Sequence, residues 1–479
     1  MSIKKVFISV VICLFAGTLS VFLIWSKSAG FLKPDISFLC KDCNVILISL
    51  TNLRYDHMSQ NGYERPTTPN LDEFAKESLV FDNIFSYASW SLPQVISLYT
   101  SLYPYQHGVM NRNDGTVLSP EVPTLVDVFK KHKYKTAAFT GGFDYNPKFG
   151  LTNRFDEFVN CGQDEGTTID ILSGRLDCTA PKAISWIQNN LNSKFFVHLQ
   201  GYDAHCPFFT QWGGRLFDAG YKGTVDYTDC LRTYGPALPV LKDGKEYYPV
   251  VQGFNNSAFL GPEDIQHLVA LYDESVTSAD QAIGEFLKKI KELGLWDNTV
   301  IIVTSEHGDM FGKHGRFMRG GALRGTFYDD VLHAPLLIRH PTLKQKHMQG
   351  LSGHIDLAPT LFEFMGFKDG FSGEGKSLIP MILHDKDLNP YLYAGTEFDI
   401  NPEDFMYFKN NSRIEAVRNK QWKLIRETIF EDSSPAEIVE LYDIVHDREE
   451  LYNLAETEKE ILSDLDAKLS EWSNNMRKR

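Results

Sequence analysis

Apolar runs with two different periods alternate along the chain, and their order predicts its architecture. The unbroken run Asn44 to Leu50 reads as a strand buried on both faces, as do Lys194 to Leu199 and Thr299 to Ser305. Between them, helical periodicity predicts helices over about 70–78, 92–101, 124–132 and 180–191, with a strand near Lys135 to Thr140. A longer helix over 273–293 is stopped by Gly294. This rhythm predicts an α/β fold around a central, largely parallel sheet. Beyond about Asp385 the pattern changes to short strand-like pieces, Trp422 to Ile425 and Glu440 to Asp443. An amphipathic helix follows, with Ile461, Leu462, Leu465, Leu469 and Trp472 on one face. A small α+β subdomain is expected there.

The N-terminus adds a segment of another kind. Val6 to Trp25 is apolar, preceded by Lys4 and Lys5 and followed by Lys27. At about 20 residues it is long enough to span a bilayer with its basic end inside. A cleaved signal peptide is the alternative, although its apolar part is normally shorter. The expected organisation is an anchor and linker over 1–35, a large domain over 36–385 and a C-terminal subdomain over 386–479, with the bulk outside the cytoplasm. With Cys13 in the anchor, Cys40, Cys43, Cys161, Cys178, Cys206 and Cys230 remain, an even set suited to an oxidising compartment. Proximity suggests Cys40 with Cys43 and Cys161 with Cys178, leaving Cys206 with Cys230, while sequence alone leaves every pairing, and free thiols, open. A formal net charge of -14 without a long basic run excludes nucleic acid as a natural partner.

Ligands of open α/β sheets gather beyond the carboxyl ends of the strands, so polar groups directly after each buried run are the candidates. The first strand delivers Thr51 and Asn52, the middle one runs into Asp203 and His205, and the late one delivers Glu306 and His307. Ser91 opens a predicted helix, where unpaired backbone N–H groups favour negative charge. Each has a plainer reading: Ser91 as a helix cap, Thr51 and Asn52 as turn formers, and Glu306 with His307 as an internal hydrogen-bonded pair. His205 could equally be a buried, satisfied histidine.

In order and surroundings these residues resemble the sulfatases and related phosphonate and phosphodiester hydrolases of the alkaline phosphatase superfamily. The resemblance runs through Asn44-Val-Ile-Leu-Ile-Ser-Leu-Thr-Asn-Leu-Arg-Tyr-Asp-His57, Pro66-Thr-Thr-Pro-Asn-Leu-Asp-Glu-Phe-Ala75 and Ser97-Leu-Tyr-Thr-Ser-Leu-Tyr-Pro-Tyr-Gln-His-Gly-Val109. It continues in Tyr202-Asp-Ala-His-Cys-Pro-Phe208, Ser305-Glu-His-Gly-Asp309 with Lys313-His-Gly-Arg316, His354-Ile-Asp-Leu-Ala-Pro-Thr-Leu361 and Leu441-Tyr-Asp-Ile444. It implies an alkaline-phosphatase-like three-layer α/β/α sandwich and hydrolysis of sulfuric, phosphoric or phosphonic esters. By position it also implies metal ligands at Thr51, Asn52, Glu306 and His307, a nucleophile at Ser91, a substrate-handling histidine at His205 and an anion contact at Arg319.

The implied cofactor is a divalent cation, calcium first, with manganese or magnesium as alternatives. The chain departs from the pattern in ways that bear on it. Thr51 and Asn52 stand where carboxylates are implied, and Glu306 stands for an aspartate, whereas hard cations prefer charged oxygens. Weak or absent metal is the expectation. Val95 occupies the arginine position of the motif that converts a family nucleophile to formylglycine, so Ser91 is expected to stay an unmodified serine. Two functions follow: a hydrolase of an anionic ester at a membrane-anchored site, or a pseudoenzyme holding an anionic ligand without cleaving it.

Overall fold

The structure is a computed structural model that describes residues 38–113, 115–162, 174–230, 240–242, 245–249, 259–318, 326–398, 411–430 and 435–478. The segment Val6 to Trp25 and Arg319 lie outside the described residues. Among those described, no helix is long and apolar enough to cross a membrane.

The main sheet is built from β1 (Asn44–Leu50), β2 (Leu79–Phe85), β3 (Lys135–Thr140), β4 (Glu157–Asn160), β5 (Phe195–Gly201), β6 (Thr299–Ser305), β7 (His333–Arg339) and β8 (Lys346–Met348). A short ninth strand, Ser352–Gly353, pairs with β2. The spatial order is β8-β2-β7-β6-β1-β5-β3-β4. β1 lies parallel between β5 and β6, every one of its residues buried. The sheet is largely parallel, as expected, but mixed, because β7 runs antiparallel to both β2 and β6. The pattern of residues hides β7 through Pro335, which cannot donate to a ladder; the register shifts between Ala334 and Leu336 to accommodate it.

The helices of seven residues or more in this part are α1 (Pro69–Ala75), α2 (Ser91–Thr100), α3 (Leu125–Lys131), α4 (Leu176–Gln188), α5 (Pro262–Glu292) and α6 (Leu357–Met365). They cover both faces of the sheet, and strand alternation decides which side chain goes where. Ile46, Ile48, Leu50, Val197 and Leu199 share one core with residues of α1, α4 and α5. Phe196, on the opposite face, stacks on Phe129 of α3 at 4.7 Å and meets Tyr99 of α2.

Helix α5 begins at Pro262, earlier than its apolar periodicity indicates. Pro262 fits the first turn, Glu263 and Asp264 complement the positive end, and Lys289 and Lys291 the negative end. Gly294, at φ +71, takes the left-handed turn that ends it. Buried carboxylates on α5 fasten surrounding segments. Asp280 accepts from Asn70 N at 2.9 Å, Asn70 Nδ2 at 2.8 Å and Leu71 N at 2.8 Å, which satisfies the start of α1. Glu274 accepts from Thr210 Oγ1, Gly214 N and Leu216 N, which fixes the loop after β5.

The C-terminal part is an antiparallel meander of β10 (Leu392–Phe398), β11 (Asn411–Arg418), β12 (Trp422–Phe430) and β13 (Ala436–Asp443). Helix α7 (Lys459–Arg477) packs Leu465, Leu469, Trp472 and Met476 on Val417, Leu424 and Leu441. The other face of this sheet buries Ile414, Ala416, Ile425 and Tyr442 against Phe85, Tyr328, Val331 and Leu332 of the main part. Beside that contact, Asp329 lies 2.8 Å from Arg418 and 2.5 Å from Lys423, and Lys423 lies 2.7 Å from Glu450. All three proximity pairings of cysteine form: Cys40–Cys43, Cys161–Cys178 and Cys206–Cys230.

Candidate functional site

The carboxyl ends of β1 and β6 lie side by side, which places Thr51 and Asn52 next to Glu306 and His307. β5, on the other flank of β1, leads into His205. The start of α2 closes the cluster. Trp90 occupies the cap position of that helix and no side chain caps it, so the Ser91 hydroxyl is not spent on helix capping. Ser91 Oγ lies 3.2 Å from His307 Nε2. His307 Nδ1 lies 2.8 Å from the carbonyl oxygen of Gly308, which can only accept, so Nδ1 carries the proton and Nε2 presents its lone pair to Ser91.

Glu306 is the carboxyl of the site and is buried. Thr51 Oγ1 donates to its Oε2 at 3.0 Å, Ser49 Oγ donates to its Oε1 at 3.3 Å, and the Tyr145 hydroxyl donates to the same Oε1. The directions are self-consistent, because each hydroxyl has one proton to give. Gln200 Nε2 donates to Thr51 Oγ1 at 2.7 Å, leaving the Thr51 proton for Glu306. Ser49 Oγ lies 2.9 Å from His198 Nε2; with that nitrogen protonated, the Ser49 proton is likewise left for Glu306. Ser91 can supply a fourth donor or give its proton to His307. Burial pushes the Glu306 carboxyl up, and the hydroxyls of Ser91, Tyr145 and Thr51 oppose it. Burial holds His198 down at about 3, so it is neutral at ordinary pH.

Asn52 adopts a left-handed conformation, φ +68, that asparagine tolerates better than most residues. Its Nδ2 donates to Asp309 Oδ2 at 2.8 Å, while Oδ1 is buried without a hydrogen-bond partner. Arg54 binds Asp56 through Nε at 2.8 Å, Asp330 through Nη2 and the Asp309 carbonyl at 2.9 Å. His205 is buried and stacks on Tyr202 at 4.2 Å, with Nδ1 2.5 Å from the Cys206 carbonyl. Asp203 does not orient it: that carboxylate accepts from Leu176 N at 3.0 Å and faces Arg175 at 3.6 Å.

Thr51, Ser91, Glu306 and His307 thus converge as one cluster. Ser49, Tyr145, His198 and Gln200 belong to it and were not singled out from the sequence. Tyr145 was within reach of the strand-end rule, since it follows β3, a strand whose carboxyl end also faces the cleft. Ser49, His198 and Gln200 lie inside buried strands and carry no such signal.

Whether these residues fit a divalent cation can be judged from their donors. A hard cation needs several oxygens, preferably anionic, at 2.0–2.6 Å. Here a single carboxylate is present among the implied ligands, and a carboxylate has about four acceptor positions. Three hydroxyls already occupy it and Ser91 stands at a fourth. Among the implied ligands, the orphaned Asn52 Oδ1 is an oxygen that suits a cation. Among the described residues no three His, Cys, Asp or Glu side chains are grouped to hold a metal ion. As arranged, the set does not fit the ion.

The fold is that of the alkaline phosphatase superfamily. Within it, the chain belongs to the sulfatase family: residues 43–367 match Sulfatase, and residues 312–476 match N-sulphoglucosamine sulphohydrolase, C-terminal. It is similar to arylsulfatase K of Xenopus laevis, 24% identical over 434 residues, covering 84% of this chain and 77% of that protein. An arylsulfatase of Clostridium perfringens is 24% identical over 391 residues, covering 71% of this chain and 78% of its own. Among solved structures, the phosphonate monoester hydrolase of Agrobacterium radiobacter superposes with a TM-score of 0.67 at 20% identity, covering 91% of this chain and 95% of that one. A protein solved in complex with its substrate D-glucosamine-2-N,6-O-disulfate superposes with a TM-score of 0.69 at 18% identity, covering 91% and 98%.

Proposed function

We propose that this chain is a hydrolase of an anionic ester of the sulfate, phosphate or phosphonate class, using Ser91 as nucleophile and His307 as its base. The observation that carries the reading is the 3.2 Å approach of Ser91 Oγ to a His307 Nε2 whose lone pair is fixed toward it. Ser91 Oγ bonds to the sulfur or phosphorus as its proton passes to His307 Nε2. The ester oxygen leaves with the bonding pair and takes that proton. Water then attacks at that sulfur or phosphorus, the bond to Ser91 Oγ breaks with its electron pair, and Ser91 regains its proton from the water by way of His307. Backbone N–H groups at the start of α2 are the donors assigned to the anionic head. Arg319 and His205 are assigned to the same head and to the leaving group. The sulfated sugar bound by a structural neighbour makes a glycan the first candidate for the alcohol part.

The same reading places the large domain outside the cytoplasm, tethered through Val6 to Trp25. Three disulfides support an oxidising compartment. The proposed division is an anchor over 1–35, the main domain over 36–385 and the C-terminal subdomain over 386–479.

A second reading, ligand holding without turnover, is favoured by one feature: the one carboxylate among the implied ligands, Glu306, accepts from the hydroxyls of Ser49, Thr51 and Tyr145. An aryl sulfate, a phosphodiester and a phosphonate ester, incubated with the full chain and with Ser91→Ala, separate the two. Turnover of one ester that disappears in Ser91→Ala is expected. Turnover of none, or turnover that survives Ser91→Ala, overturns the hydrolase; calorimetric binding of a sulfated glucosamine by the inactive chain would then support the second reading.

A further inference from the structure

We propose that Thr51 and Asn52 fill the place of the cation with neutral hydrogen-bond donors to Glu306 and Asp309, so that this chain takes no divalent ion there, and that restoring carboxylates at these two positions alone would create a cation site. The inference is independent of whether the site turns over an ester, because it concerns what holds Glu306 and Asp309 in place.

The side chain of each residue already faces a carboxylate. Thr51 Oγ1 lies 3.0 Å from Glu306 Oε2, and Asn52 Nδ2 lies 2.8 Å from Asp309 Oδ2. Both contacts are buried, and in both a neutral donor satisfies an acid without adding charge. Asp309 is completed by Met310 N at 2.9 Å, and Glu306 by Ser49 and Tyr145. Thr51 is itself held by Gln200, whose Oε1 accepts from Gly141 N at 2.7 Å, so the network is anchored in β5 and to the residue that follows β3. A cation entering this set would have to displace hydroxyl protons from Glu306 and would gain one formal negative charge among the implied ligands. Calcium sites normally draw on several charged oxygens.

Exchanging the donors for acids reverses the balance. An aspartate at 51 would set its carboxylate against Glu306, and one at 52 would set its own against Asp309. Two buried like-charge pairs at hydrogen-bond distance are unfavourable unless they stay protonated or a cation lies between them. The orphaned Asn52 Oδ1 would then become one oxygen of an anionic pair.

The test uses the purified full chain and a Thr51→Asp/Asn52→Asp variant, each measured for bound metal by mass spectrometry and for thermal midpoint in EDTA and in millimolar calcium, magnesium or manganese. The wild type is expected to carry substoichiometric metal and to melt at the same temperature in EDTA and in each ion. The variant is expected to melt lower than wild type in EDTA and to rise by a few degrees in at least one ion, as binding to the folded state alone requires. Stoichiometric metal or an ion-dependent midpoint in the wild type would overturn the proposal directly, whether or not the variant folds. A folded variant that ignores all three ions would overturn the assignment of positions 51 and 52. Neither result depends on turnover, so failure here and failure of the hydrolase reading remain distinct.

Discussion

Ser91 Oγ and His307 Nε2 face each other at 3.2 Å across the boundary between α2 and the end of β6, although 216 positions separate them in the chain. Because His307 Nδ1 is tied to the Gly308 carbonyl, the ring can turn away only by breaking that bond. Replacing His307 by Gln removes the base while retaining bulk and polarity. Turnover of whichever ester is cleaved should fall by about 10²–10⁴, the usual contribution of a positioned base. The measurement is kcat beside KM; a loss confined to KM would contradict the role.

The disulfide between Cys206 and Cys230 lies directly after His205 and spans a sequence separation of 24. In the chain-entropy account, removing it destabilises the fold by about 3–4 kcal/mol. Cys206→Ala/Cys230→Ala should therefore lower the urea midpoint. Because the Cys206 carbonyl holds His205 Nδ1, activity should decline by more than the folded fraction does.

Trp472 ties α7 to Tyr393 of the C-terminal sheet, whose ring lies at 5.3 Å, and to the segment after α2, with the rings of Tyr103 at 5.1 Å and Tyr105 at 5.8 Å. Trp472→Ala should destabilise by about 3–5 kcal/mol, the range for deleting a large buried aromatic. Limited proteolysis should then release the C-terminal region earlier than in the wild type.

His107 is buried, accepts from Val109 N at 3.1 Å through Nδ1 and lies 3.0 Å from Ser97 Oγ through Nε2. Burial holds it down at about 3. Its ordinary value is about 6.5, so between these limits the unfolded chain binds a proton that the folded one does not. Its contribution is present above about 6.5 and is lost as pH falls toward 3, by about 1.4 kcal/mol per unit. His354, also held at about 3, acts in the same sense. Asp203, Asp280 and Asp356, pushed up to about 6 by burial, act oppositely, and their contribution is lost as pH rises from about 4 to 6. The informative quantity is therefore the difference between His107→Gln and wild type. The variant should be less stable at pH 7, and its deficit should shrink steadily as pH falls below about 6.5. A deficit independent of pH would show that His107 is not neutral in the fold.

Much of the frame was legible because period and burial are local properties. β1 and β6 read as uninterrupted apolar runs, and both form over the expected residues, Asn44–Leu50 and Thr299–Ser305. Strand ends marked Thr51, Glu306 and His307, and the opening of a helix marked Ser91. The mixed character of the sheet was hidden, because Pro335 masks β7 and strand direction is set by partners distant in sequence. The part Tyr145 plays was hidden too, although its position after β3 was within reach of the same reasoning.

By itself the sequence determined which residue types stand at the strand ends: hydroxyl and amide at 51 and 52, a carboxyl at 306 and an imidazole at 307. Only the tertiary structure decided what those groups do to one another. A hydroxyl has a single proton, and its recipient depends on neighbours brought in from other strands. Gln200 and His198 turn Thr51 and Ser49 toward Glu306, while Gly308 turns His307 toward Ser91. Those directions arise from packing β5, β1 and β6 side by side, which no local pattern encodes.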